Sequence, residues 1–360
     1  MKKYKLLILF LISLIVLTGC VSIKSSKKEQ PRGPLGVFKS IDGGTAWSHS
    51  VTLMNAEGQP LNIGGLSVEN IIMDPSDYKS LYLITNSGLY FSGDAGQTWV
   101  LVPQFGTAPI NDIAIDYFDN CNIFVVAGQS IYRSTDCLRN WREVYFDKTR
   151  GKLQMTDIAT DHYNDNFVYA GNNYGEILKS TDFGETWSQI KVFKNPIKQI
   201  LVDKFDSRII YVATESAGIY KTEDGGQSWS DEEPQVNINS ELTKYSHWNN
   251  YYLLVQDPTK RDSLIWVSRY GLLKTTNGGL TWEAINLITP TGDAKIYSVA
   301  INPQDANKIF YGTQGAIYYT DDGGETWSTQ NAPTVDMVNS LLIQPDDPNI
   351  IYLAVKAIPR

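Results

Sequence analysis

Residues Thr320–Trp327 read TDDGGETW, and their pattern, Ser/Thr-x-Asp-x-Gly-x-x-Trp, recurs along the chain. The other copies are SIDGGTAW (Ser40–Trp47), SGDAGQTW (Ser92–Trp99), STDCLRNW (Ser134–Trp141), STDFGETW (Ser180–Trp187), TEDGGQSW (Thr222–Trp229) and TTNGGLTW (Thr275–Trp282). Successive copies start 52, 42, 46, 42, 53 and 45 residues apart. A period of about 40 to 50 residues suits one four-stranded blade of a β-propeller. Two copies depart from the pattern: Asn277 replaces the Asp and Leu138 replaces the Gly. The box has a physical logic. Oxygens of the Ser/Thr and of Asp42, Asp94, Asp136, Asp182, Asp224, Asn277 and Asp322 can accept turn N–H groups, and Gly permits positive φ. Trp47, Trp99, Trp141, Trp187, Trp229, Trp282 and Trp327 can then fold over the hairpin and bury a large ring. Each box is therefore read as a structural staple. Calcium binding is set aside, because one turn does not supply the six or more oxygens that ion takes.

Ahead of every box except the first runs a second signature, an apolar strand, a polar turn and a strand with an early aromatic, as in IIMDPSDYKSLYLI from Ile71 and AINPQDANKIFYGT from Ala300. Asp and Pro in these turns favour chain reversal. A blade thus reads as inner strand A, polar turn, strand B, Gly-containing turn, strand C, box, strand D. Tyr82, Phe124, Tyr169, Tyr211, Trp266, Phe310 and Tyr352 are assigned to one aromatic position on strand B. Residues 35–50 hold only C and D strands, while residues 335–358, with LIQPDDPNIIYLAV from Leu342, hold only A and B. The expectation is an all-β, seven-bladed propeller of four-stranded antiparallel blades over residues 35–360. Pairing of strands from the two ends closes its first blade and hides two edges.

Before this body, Lys2, Lys3 and Lys5 precede an apolar run, Leu6 to Leu17, too short to span a bilayer. The following Leu17-Thr18-Gly19-Cys20 resembles the bacterial lipobox. Residues 1–19 are accordingly read as a lipoprotein signal peptide and Cys20 as the lipidation site, with residues 20–34 forming a flexible basic tether. Two or more acyl chains suffice for stable anchoring. The expected location is a bacterial membrane, reached by export. Of 31 basic and 39 acidic residues, seven basic and one acidic lie in the first 34, which leaves the body at about −14. Such a body repels phosphate backbones, and nucleic acid is excluded as a partner.

The boxes resemble the bacterial neuraminidase (BNR) or Asp-box repeat superfamily. That superfamily includes sialidases, xyloglucan-type glycosidases, sortilin-like receptor propellers and the photosystem II assembly and stability factors. For sialidases the resemblance implies an arginine triad beginning in an Arg-Ile-Pro segment, but that segment is absent and no Arg lies between Arg32 and Arg133. For xyloglucan-type enzymes it implies two propellers around a cleft, whereas one fits here. In size, motif and anchoring the chain resembles the photosystem II assembly factors, which implies assembly of membrane-protein clients. Their arginine-rich patch is not evident, since the body's eight Arg are spread along it.

With no catalytic constellation apparent, the residues favour binding over catalysis. The leading expectation is a non-enzymatic scaffold for a protein partner or membrane-protein client. A glycan-binding protein or glycoside hydrolase is the alternative, because carboxylates are plentiful. No cofactor is expected, and three His (49, 162, 247) without metal-like spacing argue against a metal site. Long connections near residues 48–68 and 230–250 account for the two widest box spacings. Trp248 is the one tryptophan the repeat leaves unexplained. It stands beside Tyr245, His247 and Asn249, a mixture suited to a sugar ring or a peptide hot spot. A loop tucking its own aromatics onto the barrel is the other reading. Tyr174, Arg269 and Tyr270, in B–C turns, are expected on the same face. Finally, a hairpin turning near Gln129 places residues summing to about 258 opposite one another, which makes Cys121 and Cys137 neighbours and a disulfide plausible in an oxidising compartment.

Overall fold

The structure, a computed structural model, describes residues 33–55, 58–230, 238–292 and 295–359. The expected signal peptide, Cys20 and the tether up to Arg32 lie outside the described residues, as does part of the second long connection. Among the described residues, no helix is long and apolar enough to cross a membrane.

Strand B of most blades is apolar along nearly its whole length. Leu81–Thr85, Val168–Asn172, Ile210–Thr214 and Leu264–Ser268 are buried throughout. Runs of this kind suit strands covered on both faces, and the neighbouring blades supply the covers. The described residues accordingly form seven apolar clusters, one at each seam between blades. Outer strands such as Arg142–Phe146 and Ser188–Val192 face solvent.

Six four-stranded antiparallel sheets and one three-stranded sheet make the seven blades, and a small hairpin, Thr52–Met54 with Pro60–Asn62, occupies the first long connection. It attaches to the box of blade 2, where the Met54 N–H donates to the Trp99 carbonyl at 2.8 Å. The three-stranded sheet is blade 5, whose chain runs past Ser230 into residues outside the described set. Blade 1 combines Met337–Ile343 and Ile351–Lys356 with Gly36–Ser40 and Ser48–Ser50. Its closing ladder runs from Gly36 opposite Val355 to Ser40 opposite Ile351.

The boxes share one hydrogen-bond plan. In blade 2 the Ser92 hydroxyl donates to Asp94 at 2.8 Å and accepts the Gly96 N–H at 2.9 Å, while Asp94 accepts the Thr98 N–H at 2.8 Å and its hydroxyl at 2.6 Å. Asn277 repeats the plan with an amide, accepting from Thr275 and the Thr281 N–H at 2.9 Å each. Two successive residues in every box have positive φ. The second is Gly184 at 80° in blade 4, and in blade 3 it is Leu138 at 71°. A Cβ on Gly184 would lie 2.6 Å from Phe124 of blade 3, so this glycine makes room for the neighbouring blade's aromatic.

The polar A–B turns carry a second device. Asp74, Asp116, Asp161, Asp203 and Asp257, all buried, each accept N–H groups two or three residues on, and Asn302 does the same in blade 7. These are Asx-turns, which reverse the chain without leaving its amides unpaired.

Two register expectations need correction. In blade 3, Ile123 faces Ser134 and Ala127 faces Ser130, so opposing residues sum to 257 because the turn is the pair Gly128-Gln129. Cys121 and Cys137 lie just beyond the paired strands, where they form a disulfide with Cα atoms 4.0 Å apart. Trp266 does not share the strand-B aromatic position. Tyr211 faces Lys221, but in blade 6 it is Ile265 that faces Lys274, while Trp266 faces Leu273. With side chains alternating along a strand, Trp266 points to the opposite side of its blade. At the shared position, Lys39, Arg133, Lys179 and Lys221 stand over Tyr352, Phe124, Tyr169 and Tyr211 at 5.2, 5.6, 5.1 and 5.6 Å.

Candidate functional site

Residues 238–250 follow the box of blade 5 and lead into the inner strand of blade 6, Tyr251–Gln256. They begin with buried Ile238 and a single helical turn, Asn239–Leu242, whose Leu242 is also buried. Both apolar side chains join the seam of blades 5 and 6 with Trp266 and Trp282. Asn239 clasps the strand beneath by accepting the Ile219 N–H at 3.0 Å and donating to its carbonyl at 2.9 Å. The connection is thereby seated on the barrel.

Its aromatics divide between anchor and surface. The Tyr245 phenol donates to the Trp282 carbonyl at 2.8 Å, and its ring meets Tyr270 edge-on with centroids 4.9 Å apart. Trp248 is half-buried, and its carbonyl accepts the Trp266 indole N–H at 2.9 Å. Its ring lies over Gly218, where a Cβ would come within 2.7 Å of it and within 2.3 Å of Asn239. His247 has a φ of 57° and is exposed, and Asn249 donates to the Ser216 carbonyl at 3.5 Å. Arg269 reaches the Gly292 carbonyl at 3.2 Å. Tyr245, Trp248, Tyr251 and Tyr270 thus pack, partly buried, on one apolar cluster. The result is an aromatic shelf with an imidazole, an amide and a guanidinium around it.

Tyr174 belongs to a different group. It is 45% exposed in blade 4 under the guanidinium of Arg150, 5.3 Å from its ring centre. Arg150 is held by Asp147 and by Glu176 at 2.7 Å. The Thr149 hydroxyl and N–H, with Arg150, bring the Asp147 carboxyl down to about 2, and Arg150 lowers Glu176. This second group is a fully paired ion cluster capped by a ring.

Sequence reasoning missed Gly218 and Asn239, which shape the floor of the shelf, and Arg150, which orients Tyr174. A glycine in the B–C turn before the long connection was the available signal for the first. The other two depend on contacts between segments far apart in sequence. Among the described residues no group of three or more His, Cys, Asp or Glu is placed to hold a metal ion. One cleft between neighbouring blades, of about 490 Å³, opens elsewhere beside A–B turn and box residues, including Asn302, Lys308, Phe310, Tyr319 and Asn349.

Comparison with known proteins then adds a family. The profile described as photosynthesis system II assembly factor YCF48 matches residues 107–237 and 211–357, well over half of the chain. Among curated proteins, xyloglucanase Xgh74A of Acetivibrio thermocellus is 24% identical over 156 residues, covering 37% of this chain and 18% of the enzyme. The chain therefore spans less than a fifth of that relative. Among solved structures, a GH74 enzyme of Niastella koreensis aligns with a TM-score of 0.63 at 16% identity, covering 81% of this chain and 51% of that one. A structure of YCF48 bound to D1 peptide aligns with a TM-score of 0.58 at 18% identity, covering 81% of this chain and 94% of that one. At such identities the structural likeness speaks for the fold.

Proposed function

This chain belongs to the family of the photosynthesis system II assembly factor YCF48, and on that premise we propose that it is a non-enzymatic scaffold seating a protein partner on the shelf of residues 238–250. The observation that carries this reading is the packing of Tyr245, Trp248 and Tyr270 on a rigid seam, with polar groups around them. Anchored aromatics lose little freedom on binding, and hot spots are built from them. That YCF48 has been captured with a peptide supports a protein partner of this kind. The scaffold is held at a membrane surface through acylated Cys20, which brings membrane-protein clients within reach of the tether.

Affinity capture from membrane extracts tests the site. Trp248→Ala is expected to lower partner recovery about thirtyfold, as removal of a 2 kcal/mol hot spot would. Recovery equal to wild type removes the shelf from consideration. In the same experiment, Cys20→Ala is expected to lose fatty-acid labelling and move to the soluble fraction. A glycan array run alongside distinguishes the alternative suggested by the xyloglucanase relatives. Saturable glycan binding, or hydrolysis abolished by one carboxylate substitution, would replace the scaffold reading with that of a carbohydrate-active propeller.

A further inference from the structure

At four seams a cation on an aromatic ring reaches from one blade to the next. Strand C of blade 1 carries Lys39, which stands over Tyr352 at 5.2 Å and donates to the Ala95 carbonyl in the box of blade 2 at 2.9 Å. The Tyr352 phenol donates to the same carbonyl at 3.0 Å. Lys179 of blade 4 repeats the arrangement, over Tyr169 and onto the Gly225 carbonyl of blade 5 at 3.1 Å. Lys221 of blade 5 lies over Tyr211 and so close to Gly278 of blade 6 that a Cβ there would come within 2.8 Å of its Nζ. Arg133 of blade 3 makes the guanidinium version, over Phe124 and paired at 3.0 Å with Glu185 in the box of blade 4. In each case the ring holds the cation and the next box takes it.

Blade 7 lacks this grip. Phe310 faces Tyr319 where Tyr352 faces Lys39, and the two rings stack with centroids 6.0 Å apart. With these residues in place, the strand-B phenol and the strand-C ammonium that take Ala95 are both missing beside Gly43, which holds the same position in the box of blade 1. Blade 2 also pairs two rings, Tyr82 with Phe91, but there Leu138 and Trp141 of the next box pack into the seam. Blade 6 keeps the cation, Lys274, opposite Ile265. At the seam of blades 7 and 1 the cleft of about 490 Å³ opens instead, with Phe310, Tyr319, Gly43 and Asn349 in its lining. We propose that this cleft binds an arginine side chain of a protein partner, which supplies from outside the cation that four other seams supply from within.

A guanidinium suits this lining. Its flat faces stack on rings, and its five N–H groups serve several acceptors at once. The Gly43 carbonyl corresponds to that of Ala95, and Asp305 and Asp321 bring carboxylates to the cleft. The lining cation, Lys308, is paired with Asp321 at 3.9 Å. The walls are fixed before anything binds. The Gly43 N–H donates to the Asn349 carbonyl at 2.9 Å, and the Gln304 amide donates to the Pro345 carbonyl at 2.9 Å, tying blade 7 to the A–B turn of blade 1. Preformed walls lower the cost of binding. A body at about −14 also draws basic segments toward it. The cleft lies among A–B turns and boxes, whereas the shelf of residues 238–250 is built on B–C turns and a D–A connection at the other end of the strands. The two sites therefore stand or fall separately.

A blocked glycine peptide with a single central arginine tests the cleft by amide NMR of the isotope-labelled full chain in detergent. Its binding is expected to saturate and to shift the amides of Gly43, Tyr319 and Asn349. Citrulline in place of arginine keeps the shape without the charge and is expected to weaken binding about tenfold. Tyr319→Lys supplies the missing cation in cis and is expected to weaken it as much. Leu280→Lys adds the same charge at an exposed position in the box of blade 6 and is expected to stay within about twofold of wild type. Binding left unchanged by citrulline or by Tyr319→Lys overturns the proposal, as do shifts scattered over the body without saturation. The citrulline comparison uses wild type and so does not depend on a variant folding. Without peptide, movement of the same amides when Lys24, Lys27, Lys28 and Arg32 are replaced by Gln would assign the cleft to the chain's own tether, and movement on dilution would assign it to a second copy. Either result overturns the separate partner proposed here.

Discussion

Leu138 occupies a backbone position that glycine fills in the other boxes, with φ at 71°. A left-handed conformation costs an L-residue about 1–2 kcal/mol. Leu138 tolerates it because its side chain joins the seam of blades 2 and 3 with Tyr82, and because the disulfide at Cys137 ties the same turn to the neighbouring strand. Gly184 has neither help, and its missing Cβ is the space that Phe124 uses. Gly184→Ala is therefore expected to destabilise the protein by about 2–4 kcal/mol, combining backbone strain with overpacking, as read from the denaturant midpoint. Single residues also show where sequence reasoning stops. Trp248 stood out because the repeat could not explain it. That its carbonyl takes the Trp266 indole could not be read, since Trp266 itself was assigned to the wrong side of its strand. One-residue register shifts invert the direction of a side chain and leave almost no trace in composition.

The boxes were legible because their geometry is local. Every hydrogen bond of the plan closes within four residues, so sequence spacing alone encodes it. The shelf was only half legible, because Tyr245, Gly218 and Tyr270 come from separate connections that meet through tertiary packing. Charge enters at this scale too. The Thr320 hydroxyl, followed by the hydroxyl and N–H of Thr326, holds Asp322 well below the usual carboxylate range. A depressed folded value means that the contribution of the box is present above ~4 and lost as pH falls through the folded value. Asn277 shows that an amide can make the same bonds without titrating. Asp322→Asn is thus expected to lose less stability than wild type between pH 4 and pH 2, measured by acid titration of the circular dichroism signal. Equal acid losses would mean that the carboxylate state of this box is irrelevant to the fold.

At the scale of the whole molecule, blade 1 decides whether there is a ring. Deleting Leu341–Arg360 removes Ile351–Lys356 from between its two neighbours and leaves Gly36–Ser40 with an open edge. The shortened chain is expected to lose cooperative thermal unfolding and to associate on size-exclusion chromatography, although the cut removes only terminal residues. The closure was readable because each end supplied half a blade. The side-chain bonds from one inner strand to the next were not, since Asp112, which accepts the Ile158 N–H of the following blade, and Asp157, which accepts that of Ile200, look like ordinary polar positions on alternating strands. The same closure sets a timetable. Gly33 donates to Asp336, 303 residues further on, and the Gly36–Ser40 strand completes its sheet only when Ile351–Lys356 arrives. During synthesis, and during any passage across a membrane in an extended state, six blades' worth of chain must wait before the first can be finished. Contacts of such long range form slowly. The nascent protein therefore has an interval in which its earliest strand is paired only with Ser48–Ser50 and keeps its other edge open, and a holding chaperone that shields sheet edges would act in that interval.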